Sequence, residues 1–207
     1  MTSGQRMLEI DSAEKRYGRR MALHIDHFAL TEGDRVLLVG QNGSGKSTFL
    51  RVLAGATILT TGKITRSPAM RQLKIGYLPQ SGGMYGDMTL RENLEIFCRL
   101  FNVTWNESRV NGMHFTDALQ PVWDLPVAQL SGGTQKLAGL ACILAIEPDA
   151  LLLDEPASDL DPEHAKEFYI LLAGLCQTLK FVVVSTHDTR GLDFFHRTLV
   201  LKDGRPS

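Results

Sequence analysis

A glycine-rich segment near the start of the chain constrains the possible folds more than any other feature. Residues 40–48 read Gly-Gln-Asn-Gly-Ser-Gly-Lys-Ser-Thr and fit the pattern G-x-x-x-x-G-K-[ST]. The apolar run Arg35–Val39 precedes this segment, and residues 47–54 carry apolar side chains at helical spacing behind it. The sequence therefore predicts a strand, a tight loop and a helix in succession, which is the context in which such loops bind phosphate groups.

The residue types in this loop suit a polyphosphate. Glycines let the backbone wrap closely and direct its N–H groups inward, and the start of the following helix adds partial positive charge. We expect Lys46 to reach the outer phosphates and the Ser47 hydroxyl to ligate Mg²⁺. A glycine-rich turn before an ordinary helix is the competing interpretation, which the flanking strand and Lys-Ser-Thr disfavour. The residues predicted to bind the nucleotide here are Gly40, Asn42, Gly43, Ser44, Gly45, Lys46, Ser47 and Thr48.

Two adjacent acids follow a second apolar run. Leu151–Leu153 is typical of a buried parallel strand, and Asp154 and Glu155 come directly after it. Ligands of open α/β sheets bind outside the carboxyl ends of the strands. We expect Asp154 to hold Mg²⁺ and Glu155 to orient or deprotonate an attacking water. Taken alone, the pair could equally be a solvated strand end; the phosphate loop favours the catalytic interpretation.

A third motif, Leu-Ser-Gly-Gly-Thr at Leu130–Thr134, makes the set specific. With it, nearly the whole chain resembles the nucleotide-binding domain of ATP-binding cassette (ABC) proteins. The resemblance implies an α/β fold with a P-loop NTPase core, a mainly parallel sheet, an N-terminal antiparallel β portion and an inserted helical subdomain. It also implies one ABC ATPase domain over residues 1–207, with the insertion at approximately 81–130.

The resemblance assigns roles to further residues. Tyr17 matches the aromatic residue that stacks on adenine, and Gln80 matches the glutamine that touches the metal site and senses the membrane partner. Ser158–Asp161 resembles the D-loop along the dimer seam, and His187 matches the histidine that contacts the γ-phosphate. Singly, these could be a surface aromatic, a loop amide and a satisfied histidine; their order and spacing favour the family roles.

In this family two domains pack head to tail and enclose two ATP molecules. The resemblance implies that Ser131, Gly132 and Gly133 contact ATP held by the other chain, because they open a helix with free N–H groups. Thr134 stands where glutamine is usual, Leu137 where arginine is common, and Asp159 where alanine is typical. These departures bear on contacts with the ribose or the membrane partner and on coupling, while the Ser-Gly-Gly core is intact.

The function implied is that of an ATPase subunit that drives transport, with export favoured by the exporter-like turn at residues 86–94. The implied partners are a second ABC ATPase subunit, in a homodimer or heterodimer, and an integral membrane subunit. Met84, Tyr85 and Met88 are candidates for contact with the membrane subunit, although this segment could be a solvated loop.

Two rival functions remain at this stage. One is a soluble ABC ATPase of iron–sulfur cluster assembly. The other is a regulator that acts on DNA or ribosomes; its relatives usually carry two cassettes or a long coiled coil. The net charge of −1 also counts against nucleic acid as a partner.

Composition bounds the location. No stretch approaches 18 uninterrupted apolar residues, so we expect no helix that spans a bilayer, and the N-terminus lacks the apolar core of a signal peptide. Cys98, Cys142 and Cys176 lie in apolar helical contexts without metal-ligand spacing, which indicates a reducing compartment. The predicted location is cytoplasmic, at the inner face of the cell membrane through a membrane subunit.

The predicted layout starts with an antiparallel β portion over Met7–Leu30. A capping-box spacing begins a helix at Thr89, a second helix covers Glu107–Ala118, and others start at Ser131 and at Asp161-Pro162. The predicted core strands are Arg35–Val39, Lys74–Leu78, Ala150–Asp154 and Phe181–Ser185, with a last strand near Thr198–Lys202.

Overall fold

A computed structural model describes residues 4–105, 117–187, 189 and 192–207 of the chain. The strands are β1 (Arg6–Tyr17), β2 (Arg20–Thr31), β3 (Arg35–Val39), β4 (Thr61–Arg66), β5 (Ile75–Leu78), β6 (Ala150–Asp154), β7 (Val182–Thr186), β8 (Arg197–Lys202) and β9 (Arg205–Pro206). The α-helices are α1 (Lys46–Ala54), α2 (Pro68–Arg71), α3 (Leu90–Leu100), α4 (Gly132–Ala145) and α5 (Pro162–Leu175).

The larger sheet has the strand order β5-β6-β7-β3-β8-β9, and its pairs are parallel except for the edge pair β8–β9. Strands β6 and β7 are buried along their whole length, as their unbroken apolar runs predict. Asp154 pairs with Ser185, and Val39 pairs with Thr186. The carboxyl ends of β3, β6 and β7 therefore lie side by side, where the phosphate loop and the acids also lie.

The two faces of this sheet contribute to separate apolar cores because alternate residues of a strand point in opposite directions. Leu151 and Leu153 pack toward α3, α4 and α5, whereas Leu152 packs toward α1 and the smaller sheet. The smaller sheet is antiparallel, in the order β2-β1-β4. It meets α1 through Phe28 and Phe49, whose ring centroids lie 5.0 Å apart at an edge-to-face angle.

Most predicted elements are confirmed, with shifts of a residue at their ends. Strand β5 starts at Ile75 rather than Lys74, and β7 runs from Val182 to Thr186. Helix α3 has the predicted capping box, in which Thr89 and Glu92 bond each other's backbone N–H. Of the helix predicted over Glu107–Ala118, residues 107–116 lie outside the described residues.

Ser131 and Asp161 are the N-caps of α4 and α5, and Pro162 opens α5 as predicted. Strands β4 and β9 and the short helix α2 were not predicted. Within the described ranges, no helix is both long and apolar enough to cross a membrane.

Candidate nucleotide-binding site

Two close approaches explain why glycine is required in the loop between β3 and α1. Gly45 has a φ of 104°, and a Cβ there would lie 2.7 Å from the carbonyl oxygen of Ala22. A Cβ on Gly40 would lie 2.3 Å from the carbonyl oxygen of Leu201. Side chains at either position would push the loop off β2 and β8, so the glycines fix where α1 begins.

Lys46, the first residue of α1, folds back into this loop. Its ammonium donates a 2.7 Å hydrogen bond to the carbonyl oxygen of Gly40 and lies 3.2 Å from Oε1 of Glu155. The residue is only 5% exposed. A buried cation is therefore held at the mouth of the loop, balanced by one of the two adjacent acids.

Glu155 is the centre of the charged arrangement. Its Oε2 lies 2.9 Å from Nδ1 of His187, and its backbone N–H donates to the hydroxyl oxygen of Ser185 at 3.0 Å. Oε1 is buried and lacks an aligned hydrogen-bond donor, although Lys46 is close. The buried Oε1 of Glu155 thus faces Lys46 in the loop, and the exposed ring of His187 lies beside Oε2.

Asp154 lies at the end of β6 and is 1% exposed. Ser185 donates a 2.6 Å hydrogen bond from its hydroxyl to Oδ1 of Asp154. Sequence reasoning missed Ser185 as a positioning group, although it stands two residues before His187. One hydroxyl group therefore contacts the carboxylate of Asp154 and the backbone of Glu155.

Nine of the predicted residues line one cleft of about 460 Å³. Arg20 also lines this cleft, although it belongs to no recognisable motif. Arg20 reaches the cleft because the tight turn between β1 and β2 pairs it with Tyr17. Nη2 of Arg20 lies 3.5 Å from the position that a Cβ on Gly43 would take. The predicted residues in the cleft are Tyr17, Asn42, Gly43, Gly45, Lys46, Ser47, Thr48, Gln80 and Glu155.

Tyr17, at the end of β1, is 47% exposed at the rim of the cleft. The ammonium of Lys15 lies 5.0 Å from the centroid of its ring. An aromatic face at the rim of a phosphate-binding cleft is suited to stacking with a planar base.

The predicted metal ligands Ser47, Gln80 and Asp154 can each offer an oxygen atom, which hard cations such as Mg²⁺ prefer. Ser47 and Gln80 line the cleft, and Asp154 lies at the strand end beside it. Glu155, whose buried Oε1 has no aligned hydrogen-bond donor, also lines this cleft. The donor set therefore fits a magnesium ion that accompanies a phosphate chain.

Ser131, Gly132 and Gly133 do not join this cleft. They line a separate depression of about 510 Å³, together with Asp159 and His164 among others. Ser131 caps α4, since its hydroxyl oxygen accepts from the backbone N–H of Thr134 at 3.2 Å. The chain thus presents two separate depressions, one at the loop before α1 and one at the start of α4.

One exposed ion pair lies at the edge of that depression. His164 and Asp161 lie 2.5 Å apart, between Nδ1 and Oδ2. The hydrogen bond that the Asp161 carboxylate accepts from the ring raises the pKa of His164. Backbone and side-chain hydrogen bonds from His164 lower the pKa of Asp161.

The glycine loop at the start of α1, together with the acid pair at the end of β6, defines a P-loop nucleotide-binding protein. The chain belongs to the ABC transporter family, whose model matches residues 23–158. This match confirms the resemblance, and the solved relatives confirm the predicted α/β fold.

Curated relatives are named as ATP-binding proteins of transporters. Nod factor export ATP-binding protein I of Sinorhizobium fredii is 34% identical over 96% of this chain and 61% of its own length. Sulfate/thiosulfate import ATP-binding protein CysA of Mesostigma viride is 32% identical over 95% of this chain and 59% of its own length. The chain therefore spans about three fifths of the length of these two relatives.

A solved relative has the same fold along almost its whole length. The ATP-binding cassette MJ0796, in a dimeric post-hydrolysis state bound to ADP and Pi, is 26% identical. The two structures superpose with a TM-score of 0.84, and the match covers 97% of each chain.

Proposed function

We propose that this chain is the ATP-hydrolysing subunit of an ABC transporter, which binds and hydrolyses MgATP in a head-to-tail dimer to drive transport by a separate membrane subunit. The observation that carries the proposal is the contact of Glu155 with Lys46 on one side and His187 on the other, 3.2 and 2.9 Å away. A general base, a phosphate-binding cation and a hydrogen-bond donor to the phosphate are thereby gathered at one loop.

The chemistry follows from these contacts. Phosphate oxygens entering the loop compete with Glu155 for the ammonium of Lys46, because both are anions. Glu155 then has a free carboxylate to accept a proton from the attacking water. His187 can donate a ring N–H to an oxygen of the γ-phosphate.

Three residues would hold the magnesium ion in this proposal. They are Ser47, Gln80 and Asp154, with Ser185 keeping the Asp154 carboxylate in place through its 2.6 Å hydrogen bond. Bound Mg²⁺ supplies charge neutralisation on the phosphate oxygens. Tyr17 would stack on the adenine from the rim of the cleft.

Two copies of the chain are needed in this proposal. The depression with Ser131, Gly132 and Gly133 is separate from the cleft with Lys46. A helix start with free N–H groups at that depression suits the γ-phosphate of ATP held by another chain. The dimeric state of the solved relative supports this pairing.

The proposed unit is a single ABC ATPase domain over residues 1–207, with the helical insertion at approximately 81–130. We propose that it acts in the cytoplasm, at the inner face of the cell membrane, where residues near Tyr85 meet the membrane subunit. Export is the proposed direction, in line with the Nod factor relative, while the sulfate relative is named for import. The transporter names of the relatives favour transport over iron–sulfur cluster assembly.

The test combines an activity and a partner. The purified chain should release phosphate from MgATP, and its native complex should contain a polytopic membrane protein. A cysteine-rich soluble scaffold in its place would support the iron–sulfur alternative. Absence of MgATP hydrolysis would overturn the proposal itself.

Ser131→Arg should block ATP-driven pairing of two chains, because a long cation would fill the exposed depression that receives the other chain. Size-exclusion chromatography with light scattering, in a Glu155→Gln background, measures the pairing. The ATP affinity of the monomer should stay within about twofold, since Ser131 is outside the cleft.

Leu100→Arg is the matched control, because it adds the same side chain at an exposed position at the end of α3. Loss of the α4 cap in Ser131→Arg costs about 1 kcal/mol, which a thermal melt registers separately. Normal ATP-driven pairing of Ser131→Arg would contradict the head-to-tail arrangement.

A further inference from the structure

A buried lysine, Lys136, lies in α4 and has no part in the steps above. It is 4% exposed, in a helix whose other buried residues are apolar or glycine. Its ammonium donates a 2.5 Å hydrogen bond to the backbone carbonyl oxygen of Gln80. Burial of a charge is costly unless the charge is paired and hydrogen-bonded, so the bond to Gln80 offsets part of the cost of placing an ammonium here.

The charges around Lys136 come from the functional segments. Burial lowers the pKa of its ammonium, and the carboxylates of Asp159, Asp154 and Glu155 act in the opposite direction. Among these acids Asp159 has the largest effect. The lysine is therefore linked through space to the segment Ser158–Asp161 and to the catalytic acids.

Backbone packing also brings together helix α4, the segment of Asp159 and the loop after Gln80. A Cβ on Gly133 would lie 2.8 Å from the carbonyl oxygen of Asp159, and one on Gly139 would lie 2.7 Å from that of Gly82. Helix α4 thus touches the segment of Asp159 near its start and the loop after Gln80 further along. Lys136 lies between these two contacts in sequence.

We propose that Lys136 is a positioning residue, which holds the Ser131–Gly133 motif in a fixed relation to Gln80 and Asp159 of the same chain. This inference rests on the proposed function, because the motif matters only when it meets ATP on another chain. Without Lys136 each chain would still bind ATP in its own cleft. The motif would then meet the other nucleotide out of register, which would lower kcat rather than affinity.

The chain offers a matched control for a purely structural role. Lys74 donates a 3.0 Å hydrogen bond from its ammonium to the carbonyl oxygen of Ile146, the C-cap of the same helix. Lys74→Met and Lys136→Met remove the same kind of bond from opposite ends of α4. Of these two lysines, only Lys136 bonds to Gln80, and the acids Asp159, Asp154 and Glu155 act to raise its pKa against the effect of burial.

The experiment compares the two variants with the wild-type chain and with Glu155→Gln. Phosphate release gives kcat and KM, a fluorescent ATP analogue gives the affinity of the single chain, and a thermal melt gives Tm. We expect Lys136→Met to lose about tenfold in kcat with affinity within about twofold, while Lys74→Met keeps its kcat. The Tm values show separately whether either substitution destabilises the fold.

Equal losses of kcat in Lys136→Met and Lys74→Met would overturn the proposal, as would a wild-type kcat in Lys136→Met. If Lys136→Met does not melt cooperatively, Lys136→Gln takes its place, since it keeps an N–H donor and removes the charge. Asp159→Asn should lower kcat when it is made in the wild-type chain. In the Lys136 variant it should cause no further loss of kcat, and additive losses would overturn the coupling. Failure of the proposed function is distinct, because wild type would then release no more phosphate than Glu155→Gln.

Discussion

Glu155→Gln should reduce steady ATP hydrolysis by about a thousandfold or more while leaving ATP bound. An amide has nearly the shape of the carboxylate but cannot accept the proton of the attacking water. It also carries no charge to compete for the ammonium of Lys46, which lies 3.2 Å from Oε1 of Glu155. ATP should therefore bind at least as tightly as to the wild-type chain and hold two chains together.

The measurements are phosphate release and light scattering in the presence of MgATP. Glu163→Gln makes the same chemical change at an exposed position in the first turn of α5 and should hydrolyse ATP normally. Continued ATP hydrolysis by Glu155→Gln would rule out Glu155 as the general base. Loss of turnover without a trapped dimer would contradict the pairing.

Lys46→Ala should weaken ATP binding by about 10- to 100-fold, because a charge-assisted contact to phosphate contributes roughly 1.5–3 kcal/mol. The side chain is buried in the loop and already donates to a backbone carbonyl there. Its removal leaves the buried carboxylate of Glu155 without its cation, so two like charges would face each other when the phosphates enter.

Equilibrium titration with a fluorescent ATP analogue measures this loss. Lys63→Ala removes an exposed lysine from β4 and should bind the analogue as the wild type does. An unchanged affinity in Lys46→Ala would refute the role of Lys46 in phosphate binding.

The elements that the sequence predicts well are those whose local pattern matches their environment. Strands β6 and β7 are unbroken apolar runs and are buried along their whole length. Helix starts at Ser131 and Asp161 follow from side chains that cap free N–H groups. Strand β4 could not be found this way, because Thr-Gly-Lys-Ile-Thr-Arg is largely exposed and is fixed by its distant partner β1.

The same limit applies to the site. Lys46 and Glu155 can be identified from the sequence, since Lys46 belongs to the loop motif and Glu155 to the acid pair. Arg20 enters the cleft through the register of a hairpin, and Ser185 reaches the acids through the pairing of β6 with β7. Lys136 stands beside Leu137 with nothing in the local sequence to indicate its bond to a carbonyl 56 residues away. Strand pairing and tertiary packing, rather than a local motif, place these three residues.

The contact between Lys46 and Glu155 also bears on what happens after hydrolysis. When a nucleotide enters the loop, its phosphates would replace Glu155 as the anionic partner of the Lys46 ammonium. The loss of the contact with Glu155 would therefore offset part of the attraction between Lys46 and the phosphates. Once the γ-phosphate has gone, the carboxylate of Glu155 is free to return and compete with the remaining diphosphate. In the proposed mechanism, Glu155 would therefore compete with the product for Lys46, which favours departure of the product.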